Sequence, residues 1–315
     1  MTAPVLSVVV PVHDEETVLP ELRERLSAAM AEAGVPWEAI YVDDGSTDGS
    51  AALIESWLGD TADDVTLVSL SRNFGMEVAM SAGLDHARGD RVALMHADLQ
   101  DPPELIPEML RLADEHGADV VYARRIGRDE SRVKRSLATA FYALMERLAR
   151  VPYQGQAGDF RLMSRRVVEA VRAMPERRRF LRGMVAWTGF KQMPIEYRRA
   201  GRLAGRGASY PELFRLAFEA LAAFSDVPLA VAAYLGLFTA ATSALGAILL
   251  VGLWLAQAIE PTPMVWGLAA VLFLGGVQLI GLGIIGRYLA RVHEEALRRP
   301  LYVLDSVRSS RRDDR

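Results

Sequence analysis

Residues 38–48 read Glu38-Ala39-Ile40-Tyr41-Val42-Asp43-Asp44-Gly45-Ser46-Thr47-Asp48. An apolar run of strand length stops in two carboxylates and a glycine, and a helical pattern takes over at Thr47 and continues to residue 58. The same succession of strand, polar turn and amphipathic helix recurs on either side. Strands are expected at 5–10, 38–42, 65–70 and 92–95, with helices at 17–33, 47–58 and 77–86 between them. Apolar strands interleaved with such helices predict an α/β domain whose mainly parallel sheet is covered on both faces. Ligands of these sheets bind beyond the carboxyl ends of the strands, so the chemistry is expected in the polar turns.

The chain has 315 residues, enough for one enzyme domain of roughly 200 residues and a further part. Lys and Arg total 36 against 40 Asp and Glu, a net charge of -4 that lacks the positive excess of a nucleic-acid binder. The absence of cysteine excludes disulfide scaffolds, thiol nucleophiles and thiolate metal sites. At 51% hydrophobic residues, the composition is that of a chain with a large core, not a disordered one. The apolar opening, residues 1–12, has no basic segment ahead of it and closes at Pro11. It is too short for a signal peptide, so the N-terminal part is expected to stay in the cytoplasm.

Between 228 and 286 the sole charged residue is Glu260. Two apolar runs, 229–259 and 264–286, flank Glu260-Pro261-Thr262-Pro263, and each is long enough to cross roughly 30 Å of hydrocarbon as a helix. Arg198, Arg199, Arg202, Arg206 and Arg215 precede the pair, and Arg287, Arg291, Arg298 and Arg299 follow it. The positive-inside rule therefore puts both ends of this hairpin, and with them both termini, in the cytoplasm of a bacterial plasma membrane. Leu213, Phe214, Ala217, Phe218 and Leu221 recur at helical spacing just ahead, as in an interfacial helix or an ordinary core helix. The resulting division is 1–205 for the α/β domain, 206–227 for the amphipathic segment, 228–287 for the hairpin and 288–315 for a cytoplasmic tail. From 305 onward that tail is expected to be loose, beside anionic lipid. Glycines crowd both apolar runs, which is compatible with close helix packing and homo-oligomerisation.

Three turns carry chemistry-bearing side chains. Pro11-Val12-His13-Asp14-Glu15-Glu16 follows the first strand and Asp43-Asp44-Gly45-Ser46-Thr47-Asp48 the second. Carboxylates at adjacent strand ends, one followed by glycine and a Ser/Thr helix cap, can hold a base and a ribose; taken alone, the second segment is equally an ordinary turn and cap. After the strand at 92–95 comes His96-Ala97-Asp98-Leu99-Gln100-Asp101-Pro102-Pro103-Glu104. Alternation puts His96, Asp98 and Gln100 on one side of an extended segment, where they can meet a divalent cation bridging a diphosphate, or simply form a polar loop before a Pro-started helix. The run 124–135 adds six basic residues, suited to phosphate oxygens, to a solvated face or to lipid headgroups.

With Leu70-Ser71-Arg72-Asn73-Phe74-Gly75, Gly158-Asp159-Phe160-Arg161-Leu162 and Arg179-Phe180-Leu181-Arg182-Gly183, these motifs occur in an order that resembles the family 2 glycosyltransferases of the GT-A fold. Within that family the chain is most similar to the polyprenyl-phosphate sugar transferases of the dolichol-phosphate mannose synthase and bactoprenol glucosyl transferase type, and the resemblance extends over the terminal hairpin. It implies a Rossmann-like GT-A domain, an interfacial helix and a transmembrane hairpin. It implies a nucleotide-sugar donor, UDP-linked in preference to GDP-linked, held by Pro11, His13, Glu15, Asp44 and Asp98, with Asp44 facing the base. It implies Mg2+ or Mn2+ on Asp98, Gln100 and His96. Here the sequence departs from the family, whose metal motif usually reads Asp-Ala-Asp-Leu-Gln: His96 stands for the first aspartate, which also leaves room for an inert nucleotide-sugar-binding partner. Asp159 matches the position proposed as catalytic, together with Asp98, and Arg128, Arg135, Arg161 and Arg202 are the implied contacts of the acceptor, a polyprenyl phosphate. A processive polysaccharide synthase would need more spans and a Gln-x-x-Arg-Trp motif that this chain does not contain.

Overall fold

The structure is a computed structural model that describes residues 4–59, 64–126, 157–177, 179–198, 256 and 263–310. These fall into two compact units, one comprising the described residues up to 198 together with those from Pro300 onward, and one comprising those from 256 to Arg299.

The first unit is built on β1 (Leu6–Val12), α1 (Leu19–Ala33), β2 (Trp37–Asp43), α2 (Ser50–Trp57), β3 (Val65–Leu70), α3 (Met76–His86) and β4 (Arg91–Leu94). These follow the expected pattern with ends shifted by up to three residues. Beyond it come α4 (Ile106–His116), β5 (Val120–Ile126), β6 (Ala157–Ser164), α5 (Arg165–Arg172), α6 (Leu181–Trp187), β7 (Gln192–Arg198) and β8 (Leu304–Ser309). The strand order is β7-β5-β6-β4-β1-β2-β3-β8. The pairs β1–β2, β1–β4, β2–β3 and β5–β7 are parallel, whereas β6 runs against both neighbours and β8 against β3. The sheet expected to be mainly parallel is therefore mixed, with a parallel block of four strands at its centre.

Strand alternation divides the core. Leu6, Val8, Val10 and Val12 pack on one face with Leu19, Leu22 and Leu26 of α1, Ile54 and Trp57 of α2, and Ile106 and Met109 of α4. Val9, Ile40 and Val42 meet Ala79, Met80 and Leu84 of α3, Val167, Val168 and Val171 of α5, and Leu181 and Met184 of α6 on the other. Buried on both faces, these strands read as continuous apolar runs. Helix α3 lies so close to β1 that a Cβ on Gly83 would overlap a Val9 methyl.

The expected loose tail is corrected by β8. Leu304–Ser309 pairs antiparallel with β3, and the ladder is extended by Ser71 N–H to Val303 O and Ser310 N–H to Val65 O, both 2.9 Å. The Tyr302 hydroxyl donates to Asp85 at 2.9 Å, and Arg308 pairs with Glu55. The edge of β3 offers unpaired backbone groups, and satisfying them outweighs the polar character of the added strand.

In the second unit the described helix is α7, Pro263–Ala296, 34 residues long. It contains the whole apolar run 264–286. Among the described residues no helix, α7 included, is long and apolar enough to cross a membrane. The run 229–259, apart from Ala256, and the amphipathic segment 206–227 lie outside the described residues.

Truncation after Tyr302 removes β8 and bares β3. It is expected to lower the thermal midpoint by at least about 4 °C and to cause concentration-dependent aggregation. Melting and light scattering of the full chain and the truncated chain in one detergent check this; equal midpoints would mean that β8 contributes nothing to stability.

Candidate functional site

The register sets the site. Val12 lies opposite Asp43 in the β1–β2 pair and Val9 opposite Leu94 in the β1–β4 pair, so the segments after β1, β2 and β4 emerge side by side. Side chains then stitch two of them together. Thr47 N–H donates to Asp14 Oδ1 at 2.7 Å, Glu15 N–H to Ser50 Oγ at 2.9 Å and Gly49 N–H to Glu16 Oε2 at 3.0 Å. Carboxylates of Asp43, Asp14, Glu16 and Asp48 capture the N–H groups of 46–50, and the helix expected from Thr47 starts only at Ser50. Asp14 holds a left-handed backbone, φ 54°, which a short polar side chain tolerates.

The third segment, 72–75, is held by Asp44. Phe74 N–H donates to Asp44 Oδ1 at 2.7 Å and Gly75 N–H to Oδ2 at 2.8 Å, and Asn73 Nδ2 lies 3.0 Å from His13 Nε2. Burial pushes the Asp44 carboxyl above its usual range, although these two N–H bonds pull it back. Asp44, expected to face a base, is thus the clasp of this loop. Gly45, at φ +68°, turns directly beneath it: a Cβ there would stand 2.5 Å from the Arg72 carbonyl carbon and 2.6 Å from Asn73 N.

The segment after β4 emerges at the same rim of the sheet. Burial and then the charge of Asp98 raise the Glu15 pKa, which brings these two predicted residues into one electrostatic site. Asp98 Oδ1 accepts Gln100 N–H at 3.1 Å across Leu99, whose φ of 57° is an outlier for a branched side chain. Leu99 is buried in the core, and that anchorage sustains a backbone strain of about 1–2 kcal/mol.

Asp159, on β6, is only 4% exposed, and both its oxygens are taken by Arg182 of α6, at 2.6 Å each. Burial alone would raise its pKa, but Arg182's hydrogen bonds and charge, with Arg161 and His96, hold it below the ordinary carboxylate value. Arg182 is held in turn because Glu77 accepts the N–H of Leu181 at the start of α6, 2.9 Å. Arg161 is buried, with its guanidinium on the carbonyl oxygens of Gly158 (2.8 Å) and Asp159 (3.3 Å). The more exposed cation beside Asp159 is Arg182, at 38%. Nothing local in the sequence marks Arg182, because its partner is 23 positions away.

His96 Nδ1 lies 3.1 Å from Asp101 Oδ2, and Tyr197 of β7 donates to Asp101 Oδ1 at 3.2 Å. Its Nε2 is buried without a hydrogen-bond partner, 3.6 Å from Asp159 Oδ2. Burial lowers the His96 pKa, but the Asp101 bond and the charges of Asp101, Asp159 and Asp98 leave it raised overall. The orphaned Nε2 fits a cation ligand. Among the described residues no three His, Asp or Glu side chains converge on one point, so a cation here would draw on few protein donors and otherwise on phosphate oxygens and water, as Mg2+ and Mn2+ do at diphosphates. Arg128, Arg135 and Arg202 lie outside the described residues.

Over residues 7–172 the chain matches Glycosyl transferase family 2. It belongs to that family. Relatives extend the likeness across the whole length. A bactoprenol glucosyl transferase of Shigella phage SfV is 39% identical over 303 residues, 95% of this chain and 97% of that protein. A prophage bactoprenol glucosyl transferase homolog of Escherichia coli K12 is 38% identical over 312 residues, 96% and 99% of the two chains. Among solved structures, glucosyl-3-phosphoglycerate synthase from Mycobacterium tuberculosis, in complex with Mn2+, uridine diphosphate and phosphoglyceric acid, superposes with a TM-score of 0.51 at 19% identity, covering 70% of this chain and 76% of that one. That likeness is one of fold, the mixed α/β sheet of a GT-A glycosyltransferase.

In this family 2 glycosyltransferase, Gly45→Ala is expected to strain the turn by about 1–3 kcal/mol and displace the 72–75 loop. Melting of the variant beside the wild-type chain should show a midpoint lower by about 2 °C or more; equal midpoints would mean that the turn accepts a Cβ.

Proposed function

We propose that the chain is a membrane-bound inverting glycosyltransferase that moves a glucose-like hexosyl group from a UDP-sugar to polyprenyl phosphate. The observation that carries this reading is the convergence of four segments, 11–16, 43–50, 72–75 and 96–104, on one rim of the sheet, with the Asp159–Arg182 pair beside His96. The relatives bearing the name bactoprenol glucosyl transferase support the acceptor, since their likeness runs over the segments beyond the sheet as well. The membrane placement is supported by the uncharged runs and by α7, where Met264, Val271, Leu282 and Ile285 are all more than half exposed. A row of bare apolar side chains on a helix suits lipid. On this reading the protein sits in a bacterial plasma membrane with the sheet and both termini cytoplasmic, and Arg128, Arg135 and Arg202 meet the acceptor.

Pro11, His13, Glu15 and Asp44 hold the nucleotide, and Asp98 and Gln100 with His96 hold the cation. When bound, the cation supplies positive charge to the diphosphate. An oxygen of the lipid phosphate attacks the anomeric carbon, whose bond to the diphosphate breaks with its electron pair leaving on the diphosphate, so that the configuration inverts. No general base is required, because a phosphate monoester with a second pKa of about 6 is already mostly dianionic at neutral pH. Asp159 is unsuited to that task in any case: it is paired and held ionised. A fixed carboxylate there stabilises positive character on the sugar, and Arg182, its more exposed partner, offers a guanidinium to phosphate oxygens.

The test is transfer of labelled sugar from UDP-glucose, UDP-galactose, UDP-N-acetylglucosamine and GDP-mannose into undecaprenyl phosphate by detergent-purified protein, with Mn2+, Mg2+ or EDTA. EDTA-sensitive label from UDP-glucose is expected; folded protein that labels no lipid from any donor overturns the reading. Asp98→Ala is expected to cost at least about 100-fold in kcat/KM. Asp159→Asn is expected to lower kcat by about 100-fold while UDP affinity stays within about threefold. A large loss of UDP binding in that variant would move Asp159 to the donor site.

A further inference from the structure

The segment after β4 contains a pairing that the transfer chemistry does not use: Asp101 with His96, braced by Tyr197. We propose that Asp101 and Tyr197 are positioning residues that aim His96 Nε2 at the divalent cation, making this a carboxylate–histidine cation site that favours Mn2+ over Mg2+. The inference rests on the cation and donor reading above and deepens it.

Asp101 is 3% exposed and is committed on every side. Its Oδ2 faces His96 Nδ1 at 3.1 Å and accepts His96 N–H at 3.2 Å, while its Oδ1 accepts from Tyr197 at 3.2 Å. The ring is therefore fixed in rotation, and its Nδ1 proton is assigned to Asp101. That leaves Nε2, a buried nitrogen with no hydrogen-bond partner. Its nearest carboxylate oxygen, Asp159 Oδ2, stands at 3.6 Å, beyond hydrogen-bond reach. Asp159 does not need the imidazole, since Arg182 already binds both its oxygens. An imidazole that gives one nitrogen to a carboxylate and keeps the other free of hydrogen bonds is the arrangement by which proteins orient a histidine ligand. Asp98 stands two positions on in the same segment. Imidazole nitrogen ranks low for Mg2+, which prefers oxygen donors, and higher for first-row transition ions.

Binding can be read without turnover. Mn2+ is titrated into the purified full-length protein, alone and with UDP, and its bound fraction followed by electron paramagnetic resonance; Mg2+ is measured by competition. The wild-type chain is expected to bind Mn2+ at least about tenfold more tightly than Mg2+. Asp101→Asn is expected to weaken Mn2+ by about 10–100-fold with a smaller effect on Mg2+, and Tyr197→Phe by less. His96→Asp is expected to erase the preference for Mn2+. Should Asp101→Asn fail to fold, His96→Gln carries the same expectation of weakened Mn2+. Mn2+ affinity within about threefold of wild type in His96→Gln, or equal Mn2+ and Mg2+ affinities in the wild type, overturns the proposal. Absence of transfer in wild-type protein that still shows the Mn2+ pattern would count against the function and not against this site.

Discussion

Everything at the active rim depends on where β1 sits. It is hydrogen-bonded to β2 on one side and to β4 on the other; β1 and β2 end together at the Val12–Asp43 pair, and β4 ends three residues earlier, at Leu94 opposite Val9. The parallel pairing allows no slip, because a shift by one residue would turn Leu6, Val8, Val10 and Val12 out of their face of the core. Once that register is fixed, His13, Asp44 and Asp98 are placed by geometry alone, and the remaining contacts refine a cleft that already exists.

That refinement falls to carboxylates. Asp14 and Asp44 bind backbone N–H groups of neighbouring loops, Asp101 binds a histidine and Asp159 an arginine. Substrates with two or more phosphates would be repelled by so many negative charges left unpaired. Here most are engaged by the protein's own donors, and the positive charge of Arg182 is more exposed than the Asp159 charge that holds it. The cleft is thus acidic in composition and hospitable to anions in effect.

The central strands and their helices were legible because strands buried on both faces leave uninterrupted apolar runs, and helices covering them show a 3.6-residue period. The candidate site was legible where chemistry is local, in the strand-end turns at His13, Asp44 and Asp98, which the fold brings to one rim. Three kinds of feature were not. Strand β8 is exposed on both faces and carries Asp305 and Arg308, so neither alternation nor apolarity announces it; main-chain pairing with β3 makes it a strand. The partnerships Asp159–Arg182 and Asp101–Tyr197 join residues 23 and 96 positions apart, and only the folded topology brings them together. The left-handed Leu99 is likewise invisible beforehand, since leucine has no preference for that backbone.

The strand order has a practical corollary. The chain leaves the sheet from β7 at one margin and re-enters it as β8 at the other, with residues 199–303 between. Seven inter-strand steps, roughly 34 Å in all, separate those two margins. A fragment that keeps the whole sheet therefore cannot be obtained by stopping at β7, which discards one margin, nor by a short splice between 198 and 304, which cannot reach. The workable design is a permuted chain in which β8 is encoded ahead of β1, so that both margins survive and the hydrophobic insert is left out.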